Sequence, residues 1–326
     1  PPRFVYAQES IETIEHSVIK HSMKTLKGEN RLVGFIGGPP CPDFSVAGKN
    51  KGKDGENGKL SQSYIDLIIE MMPDFFLFEN VKGLYRTLKH REFFEQIKNE
   101  LASVGYILHE RLINSIEYGA PQDRERIILV GFLDKSLAKN FEWSGQIYPN
   151  KEAFQFPWPT TNTYEEDSSM ECPQGIPEEL TIEYWFEKND VTNHPNAKHV
   201  FTARAGLARF QSVEEGDDSK KSYKRLHRWR YSPTAAYGNN EVHLHPYKPR
   251  RITVAEALAI QSLPKNFELP GDMTLSNMFK TVGNGVPYIA ALGIAQSILQ
   301  HLGYSNEDNS IESGSGDFEL TQKYAV

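Results

Sequence analysis

Short apolar runs alternate with amphipathic segments between residues 31 and 132, which predicts an α/β protein on a doubly wound sheet, with a smaller irregular lobe further along. Three observations carry this: strand-like runs that end in glycine or acid–amide turns, helical periodicity between them, and a lapse of periodicity from about residue 154 to Arg251. The chain has 326 residues, which at roughly 100–200 residues per domain allows two domains or one with an inserted lobe. Hydrophobic residues at 39% suffice for a sizeable core and exclude wholesale disorder, while a mean hydropathy of -0.53 implies a polar surface.

In chain order, Leu32-Val-Gly-Phe-Ile36 closes on Gly37-Gly38, the pattern of a buried parallel strand feeding a loop. Residues 64–72 have apolar positions at helical spacing, Phe75-Phe-Leu-Phe78 is a second buried strand, and residues 93–104 return to the helical period. Residues 106–112 and 126–132 read as two further strands. Ligands of such a sheet sit beyond the carboxyl ends of its strands, so chemistry is expected in the loops after Ile36 and Phe78. The Pro- and Thr-rich stretch 154–164 opens the irregular lobe. Thr253-Val-Ala-Glu256 has the form of a helix cap with its acidic partner three residues on, opening an amphipathic run to Gln261. A strongly apolar helix over about 287–301 is expected to pack back on the sheet, ahead of a polar tail containing Ser313-Gly-Ser-Gly316. The expected division is 1–159, 160–250, 251–303 as the return to the first domain, and a tail 304–326.

No run approaches the roughly 18–20 consecutive apolar residues of a membrane span, and Pro1-Pro-Arg-Phe-Val5 lacks the plan of a signal peptide. A soluble, cytoplasmic chain with no membrane partner is expected. Two cysteines, Cys41 and Cys172, are too few for a disulfide framework or a structural zinc site, and no metal is expected. Cys172 lies among acidic residues that would raise its pKa, so it reads as inert.

The net charge of -7 weighs against a nucleic-acid partner until its distribution is considered. Residues 164–190 hold nine acidic side chains and one lysine, whereas residues 198–251 hold twelve Lys and Arg against five acidic. The basic stretch is interleaved with Tyr223, His227, Trp229, Tyr231 and Tyr237, so one face of an acidic molecule could bind an anionic polymer. The competing reading makes Trp229 and Tyr231 lobe core, with the charges solvating it.

The chemistry-bearing residues gather at the two expected strand ends. Gly37-Gly-Pro-Pro-Cys41-Pro-Asp-Phe-Ser45 puts a cysteine just past a buried strand, ahead of a basic segment with Gly48, Gly52, Gly55 and Gly58. Taken alone, a lone cysteine is by default a small buried hydrophobe. The next strand ends at Glu79-Asn80-Val81, delivering a carboxyl group and an amide to the same sheet edge. A thiolate beside an acid is what nucleophilic attack on an electron-poor ring needs.

Five blocks in order resemble the DNA cytosine-5 methyltransferases of prokaryotic restriction–modification type. They are the Pro-Pro-Cys41 loop; Glu79-Asn80-Val81; Gly119-Ala-Pro-Gln122-Asp-Arg124-Glu-Arg126; Arg251-Ile-Thr253-Val-Ala-Glu256 with Gln261-Ser-Leu-Pro264; and Gly283-Asn284-Gly285-Val286-Pro287. The resemblance implies a Rossmann-like S-adenosylmethionine-dependent sheet with a target-recognition domain between the third and fourth blocks. It implies that the Cys41 thiolate adds to carbon 6 of a flipped-out cytosine, so that carbon 5 can attack the methyl of S-adenosylmethionine. By the same resemblance Glu79 contacts ring nitrogen 3 and the amino group, Arg126 and Arg124 hold the base carbonyl, and Asn80 shapes its loop. Cofactor binding is implied for Glu9, Pro39, Asn284, Gly285 and Val286, and the glycine-rich stretch 42–59 is the candidate for closing over the base. Double-stranded DNA would be met by Ser45, Arg225, Arg228, Arg230 and Tyr237, while Thr253, Glu256 and Gln261 brace the two lobes.

The sequence departs from the family twice. Pro42 stands where the family usually has Gln, which removes a backbone donor and stiffens the loop. No Phe-x-Gly-x-Gly block precedes Phe4-Val-Tyr-Ala-Gln-Glu9, which resembles the second strand. Three explanations stand open: a sequence incomplete at its start, a subunit that supplies the first strand, or lost cofactor binding. Incompleteness is preferred because Asn284, Gly285 and Val286 keep the block that meets the cofactor from the other end. The expected function is methylation of a short duplex site by a protein monomeric on DNA, or paired with a subunit that supplies the first strand, with a cognate restriction endonuclease as companion. The alternatives are a tRNA cytosine-5 methyltransferase, whose usual Cys-Phe-Thr insertion is not found, and a catalytically impaired DNA-binding or regulatory subunit.

Overall fold

The computed structural model describes residues 10–39, 56–203, 206–235, 237 and 241–304. Glu9, Cys41, Ser45 and all but the last few residues of the glycine-rich stretch lie outside the described residues.

Helix α1 (His16–Gly28) leads into β1 (Gly34–Gly37), followed by α2 (Glu56–Met71), β2 (Phe75–Val81), α3 (Leu88–Ser103), β3 (Ile107–Asn114) and β4 (Glu125–Phe132). The sheet order is β1-β2-β4-β3. Strands β1 and β2 are parallel, with α2 in the connection between them. Strand β4 runs antiparallel to both its neighbours, so the strand–helix alternation ends at β3. The cause is the connection 115–124: it holds one 3-10 turn, Ser115–Tyr118, and is too short for a crossover, so the strands pair directly.

Strand β2 is buried on both faces, which is why residues 75–78 read as an unbroken apolar run. Phe76 and Phe78 face Tyr64, Ile65 and Ile68 of α2 and Phe94 and Ile97 of α3. Leu77 faces the other way, with Ile128, Val130 and Phe132, onto the last helix.

Beyond the sheet come α4 (Lys135–Ala138), α5 (Ile182–Lys188), α6 (Leu207–Gln211), α7 (Val254–Ile260), α8 (Leu275–Asn284) and α9 (Tyr288–His301). The cap of α7 is the reciprocal pair expected from its sequence: Thr253 Oγ1 accepts from the Glu256 amide at 3.1 Å, and the Glu256 carboxylate accepts from the Thr253 amide at 2.8 Å. The helix it opens is not amphipathic, however, because all its residues are buried. Val254, Ala257 and Ile260 share one core with Ile182, Trp185 and Phe186 of α5, Leu226 and Val242 of the lobe, and Met278 and Phe279 of α8.

Residues 275–301 have the length and hydropathy of a membrane span, yet they form two helices broken at Gly285–Pro287. Helix α9 lays Ala290, Ile294 and Ile298 on the sheet, as expected. Gly293 permits this approach, since a Cβ there would lie 2.5 Å from the Tyr118 ring and 3.3 Å from the Gly145 carbonyl oxygen.

Candidate active site

Side chains alternate across a strand, so Glu79 points to the α9 face with Leu77, while Asn80 points to the α2–α3 face with Phe78. Antiparallel pairing sets Val81 opposite Arg126 and Glu79 opposite Ile128, which brings Arg126 to the same face as Glu79. There Arg126 Nε donates to Glu79 Oε1 at 2.8 Å, with both side chains largely buried. Burial raises the Glu79 pKa; the charges of Arg126 and Arg124 and the Arg126 hydrogen bond partly oppose that rise. The site is therefore a carboxyl group that can hold a proton, beside a cation that stabilises the carboxylate once the proton has left.

The loop after β1 closes onto this pair. A Cβ on Gly38 would lie 2.6 Å from Glu79 Oε2, so the backbone leading to Pro39 lies against the carboxyl group. Cys41, two residues past Pro39, is outside the described residues. Asn80 accepts the Val81 amide at its own Oδ1 at 2.8 Å, on the face away from Glu79.

Arg124 departs from its expected role at the base. It is 1% exposed and its guanidinium is turned to carbonyl oxygens: Nη1 donates to Ala235 O at 3.0 Å and Nη2 to Gly283 O at 2.6 Å. It reaches Glu79 and Arg126 only through its charge. The loop that presents both arginines is tied by a residue the sequence reading passed over, Asn114. Its Oδ1 accepts from the Arg124 amide at 3.0 Å and its Nδ2 donates to Asp123 at 2.7 Å, while Asn114 and Glu117 cap the 3-10 turn reciprocally. The Asn-x-x-Glu spacing, the same signal as Thr253…Glu256, could have found it.

The turn between α8 and α9 exposes Asn284 and Gly285, while Val286 packs beside the cluster of Leu77 and Ile294 on the face that carries Glu79. Gln261, expected to brace the two lobes, instead braces this turn: its Nε2 donates to Val282 O at 2.7 Å and its carbonyl accepts from the Tyr288 amide at 2.8 Å.

The lobe corrects three of the expected DNA contacts. Arg225 is 1% exposed and is spent on carbonyl oxygens, among them Val213 at 2.8 Å, Lys248 at 3.1 Å, Phe210 and His245, and it lies over the Tyr164 ring. Arg228 is 3% exposed and forks onto buried Glu215 at 2.9 and 2.8 Å while stacking on Tyr247. Tyr237 is buried against Phe279 and His243. The alternation of basic and aromatic residues is thus largely cation–π packing inside the lobe, and Tyr231 belongs with Phe154 and Trp158 to a small core. Arg230 is partly exposed, paired with Asp218 at 3.2 Å, and Lys220 and Lys221 are exposed nearby in sequence.

Comparison with known proteins adds four findings. The profile of the family described as C-5 cytosine-specific DNA methylase matches residues 4–300. The type II methyltransferase M.NmeDI of Neisseria meningitidis serogroup C is 60% identical over 308 residues, which span 92% of this chain and 72% of that protein. M.MthTI of Methanothermobacter thermautotrophicus, also a type II methyltransferase, is 29% identical over 83% of this chain and 79% of its own length. Among solved structures, an E. coli prophage chain described as a DNA modification methyltransferase aligns with a TM-score of 0.61 at 24% identity, covering 91% of this chain and 86% of its own; at that identity the likeness shows the fold.

Proposed function

The chain belongs to the C-5 cytosine-specific DNA methylases, and from that membership we propose that it is the modification enzyme of a type II system, methylating carbon 5 of a cytosine flipped out of a short duplex site. The observation that carries this reading is the buried Glu79–Arg126 pair at the carboxyl end of β2, with the Gly38 backbone pressed against it.

The Cys41 thiolate adds to carbon 6 of the cytosine ring, forming the sulfur–carbon bond and pushing electrons toward nitrogen 3. Glu79 delivers its proton to that nitrogen, so no net negative charge is left on the ring. Arg126, 2.8 Å away, then stabilises the carboxylate that remains. Carbon 5 gains enamine character in the same step. Arg126 is assigned the further task of favouring the thiolate, because a nearby cation lowers a cysteine's pKa. Water must be kept from the adduct, a task assigned to the glycine-rich stretch 42–59.

S-adenosylmethionine, when bound, supplies an electrophilic methyl group. The α8–α9 turn fits such a molecule: exposed Asn284 offers a carboxamide, Gly285 leaves the backbone bare, Val286 continues the apolar face of the sheet, and Tyr288 presents an exposed ring. Pro39 and Glu9 are the residues proposed to meet it from the other side. The segment 160–250 is the proposed target-recognition domain, with Arg230 and its neighbours Lys220 and Lys221 gripping phosphate and Arg225, Arg228 and Tyr237 holding the lobe in shape. Duplex DNA in the cytoplasm is the proposed substrate, with a restriction endonuclease of the same specificity as companion.

The test is incubation with S-adenosylmethionine and duplexes carrying 5-fluorocytosine, scored for a covalent adduct on denaturing gels. An adduct that disappears in Cys41→Ser is expected. Intact DNA binding without an adduct at any cytosine would overturn the reading in favour of a non-catalytic DNA-binding subunit.

A further inference from the structure

We propose that Arg124 is a positioning residue that fixes the cofactor-side turn 283–286 relative to the Glu79–Arg126 pair; the proposal rests on the function proposed above. Arg124 is two residues from Arg126 on one continuous segment, and its own backbone is pinned: the amide donates to Asn114 Oδ1 at 3.0 Å, and the carbonyl accepts from the Ser115 amide at 3.0 Å. From this anchored backbone the guanidinium forks. Nη1 donates to Ala235 O at 3.0 Å and to Gln122 Oε1 at 3.3 Å, and Nη2 donates to Gly283 O at 2.6 Å. Three parts of the chain therefore meet on one side chain: the base-side loop, the recognition segment at Ala235, and the residue just before Asn284.

The turn is held from a second side. Gln261 Nε2 donates to Val282 O at 2.7 Å, the Gln261 carbonyl accepts from the Tyr288 amide at 2.8 Å, and Ser262 Oγ accepts from the Ile289 amide at 3.2 Å. Residues 282, 283, 288 and 289 are thus fastened, and 284–286 span the gap between fixed ends. Val282 and Gly283 are in the last turn of α8, where the helix dipole favours a cation. Gly283 also lets the lobe approach, since a Cβ there would lie 3.3 Å from the Tyr237 amide nitrogen.

Retaining a charge here is costly. Burial, together with the like charge of Arg126, pushes the Arg124 pKa down to about 9. A neutral side chain could occupy the space without that cost, and lysine could keep the charge. Only the planar fork can address separate carbonyls at fixed angles. The charge also acts on Glu79, opposing the rise of its pKa.

The test uses the full chain with Arg124→Lys and Arg124→Met. Calorimetric titration with S-adenosylhomocysteine reads the cofactor side without turnover, gel-shift titration with duplex DNA reads the recognition side, and thermal melting reads the fold. For Arg124→Lys, affinity for S-adenosylhomocysteine is expected to fall by about 10–100-fold, the worth of one charged hydrogen bond, with KM for the methyl donor rising in step. DNA affinity should stay near wild type, while the melting temperature falls by a few degrees for the lost internal hydrogen bond and the chain stays folded at the assay temperature. Wild-type binding of S-adenosylhomocysteine by both variants would overturn the proposal, as would losses of DNA and cofactor affinity that track a drop in melting temperature. Failure of the wild type to bind S-adenosylhomocysteine would instead overturn the function on which the proposal stands.

Discussion

Replacing Arg228 by alanine separates a lobe built on internal ion pairs from one that presents its arginines to DNA. The guanidinium gives Nε and Nη2 to the two carboxylate oxygens of Glu215 at 2.9 and 2.8 Å, Nη1 to Ser168 O at 2.6 Å and Nη2 to Ser168 Oγ at 2.9 Å. Removing it strands the Glu215 carboxylate, 2% exposed, without its cation. Breaking such a pair from one side costs about 3–5 kcal/mol, which for a chain of this size corresponds to a fall in melting temperature of about 5–15 °C. The loss should be largely recovered by Arg228→Met with Glu215→Leu, because the charge left behind is removed as well. Thermal and urea melts of the single and double variants measure both effects, and gel shifts well below the melting range measure DNA binding. An unchanged melting temperature, with DNA affinity weakened and its salt dependence flattened, would refute the internal placement and return Arg228 to the surface.

Acid should loosen the same lobe, because His227, His243 and His245 are buried in neutral form with pKa values pushed down, chiefly by burial, to about 4, 3 and 3. All three are neutral in both states well above pH 6.5; as pH falls below that value the unfolded chain takes up protons that the folded chain refuses, so stability is lost by about 2 kcal/mol per histidine at pH 5. Equal urea midpoints at pH 7.5 and pH 5.0 would contradict this. Glu79→Gln keeps the shape of the site but has no carboxyl proton to deliver, so single-turnover methyl transfer should fall by about 10²–10⁴-fold with duplex affinity unchanged; near-normal turnover would remove Glu79 from the reaction. Gly38→Ala would set a methyl 2.6 Å from Glu79 Oε2 and force the carboxyl group off Arg126. Loss of that charged hydrogen bond should slow transfer by about 10–100-fold without a matching loss of stability, and a fully active variant would show that the loop can yield.

The residues by themselves determined the α/β class, the positions of β1, β2 and β4, the α7 cap and the α9 helix. These depend on near-neighbour chemistry: an unbroken apolar run for a strand buried on both faces, a Thr…Glu cap, and a glycine–proline break ahead of an apolar helix. Glu79 and Arg126 were legible because each sits beside a strand in a motif. Their meeting was not, since it follows from the antiparallel register that sets Val81 against Arg126. Tertiary structure alone decided which cations face solvent. Arg225 and Arg228 share a basic, aromatic stretch with Arg230 and look the same in a charge count, yet burial and a nearby carboxylate or a ring of carbonyl oxygens turn two of them into scaffold. Arg124 and Arg126, two residues apart, part in the same way, one toward the Gly283 carbonyl and the other toward Glu79. Local sequence specifies how each segment bends and which side is apolar, whereas a buried charged group finds its partner elsewhere in the chain, from Arg228 with Glu215, 13 positions off, to Arg124 with Gly283, 159 positions off, and only folding brings those together.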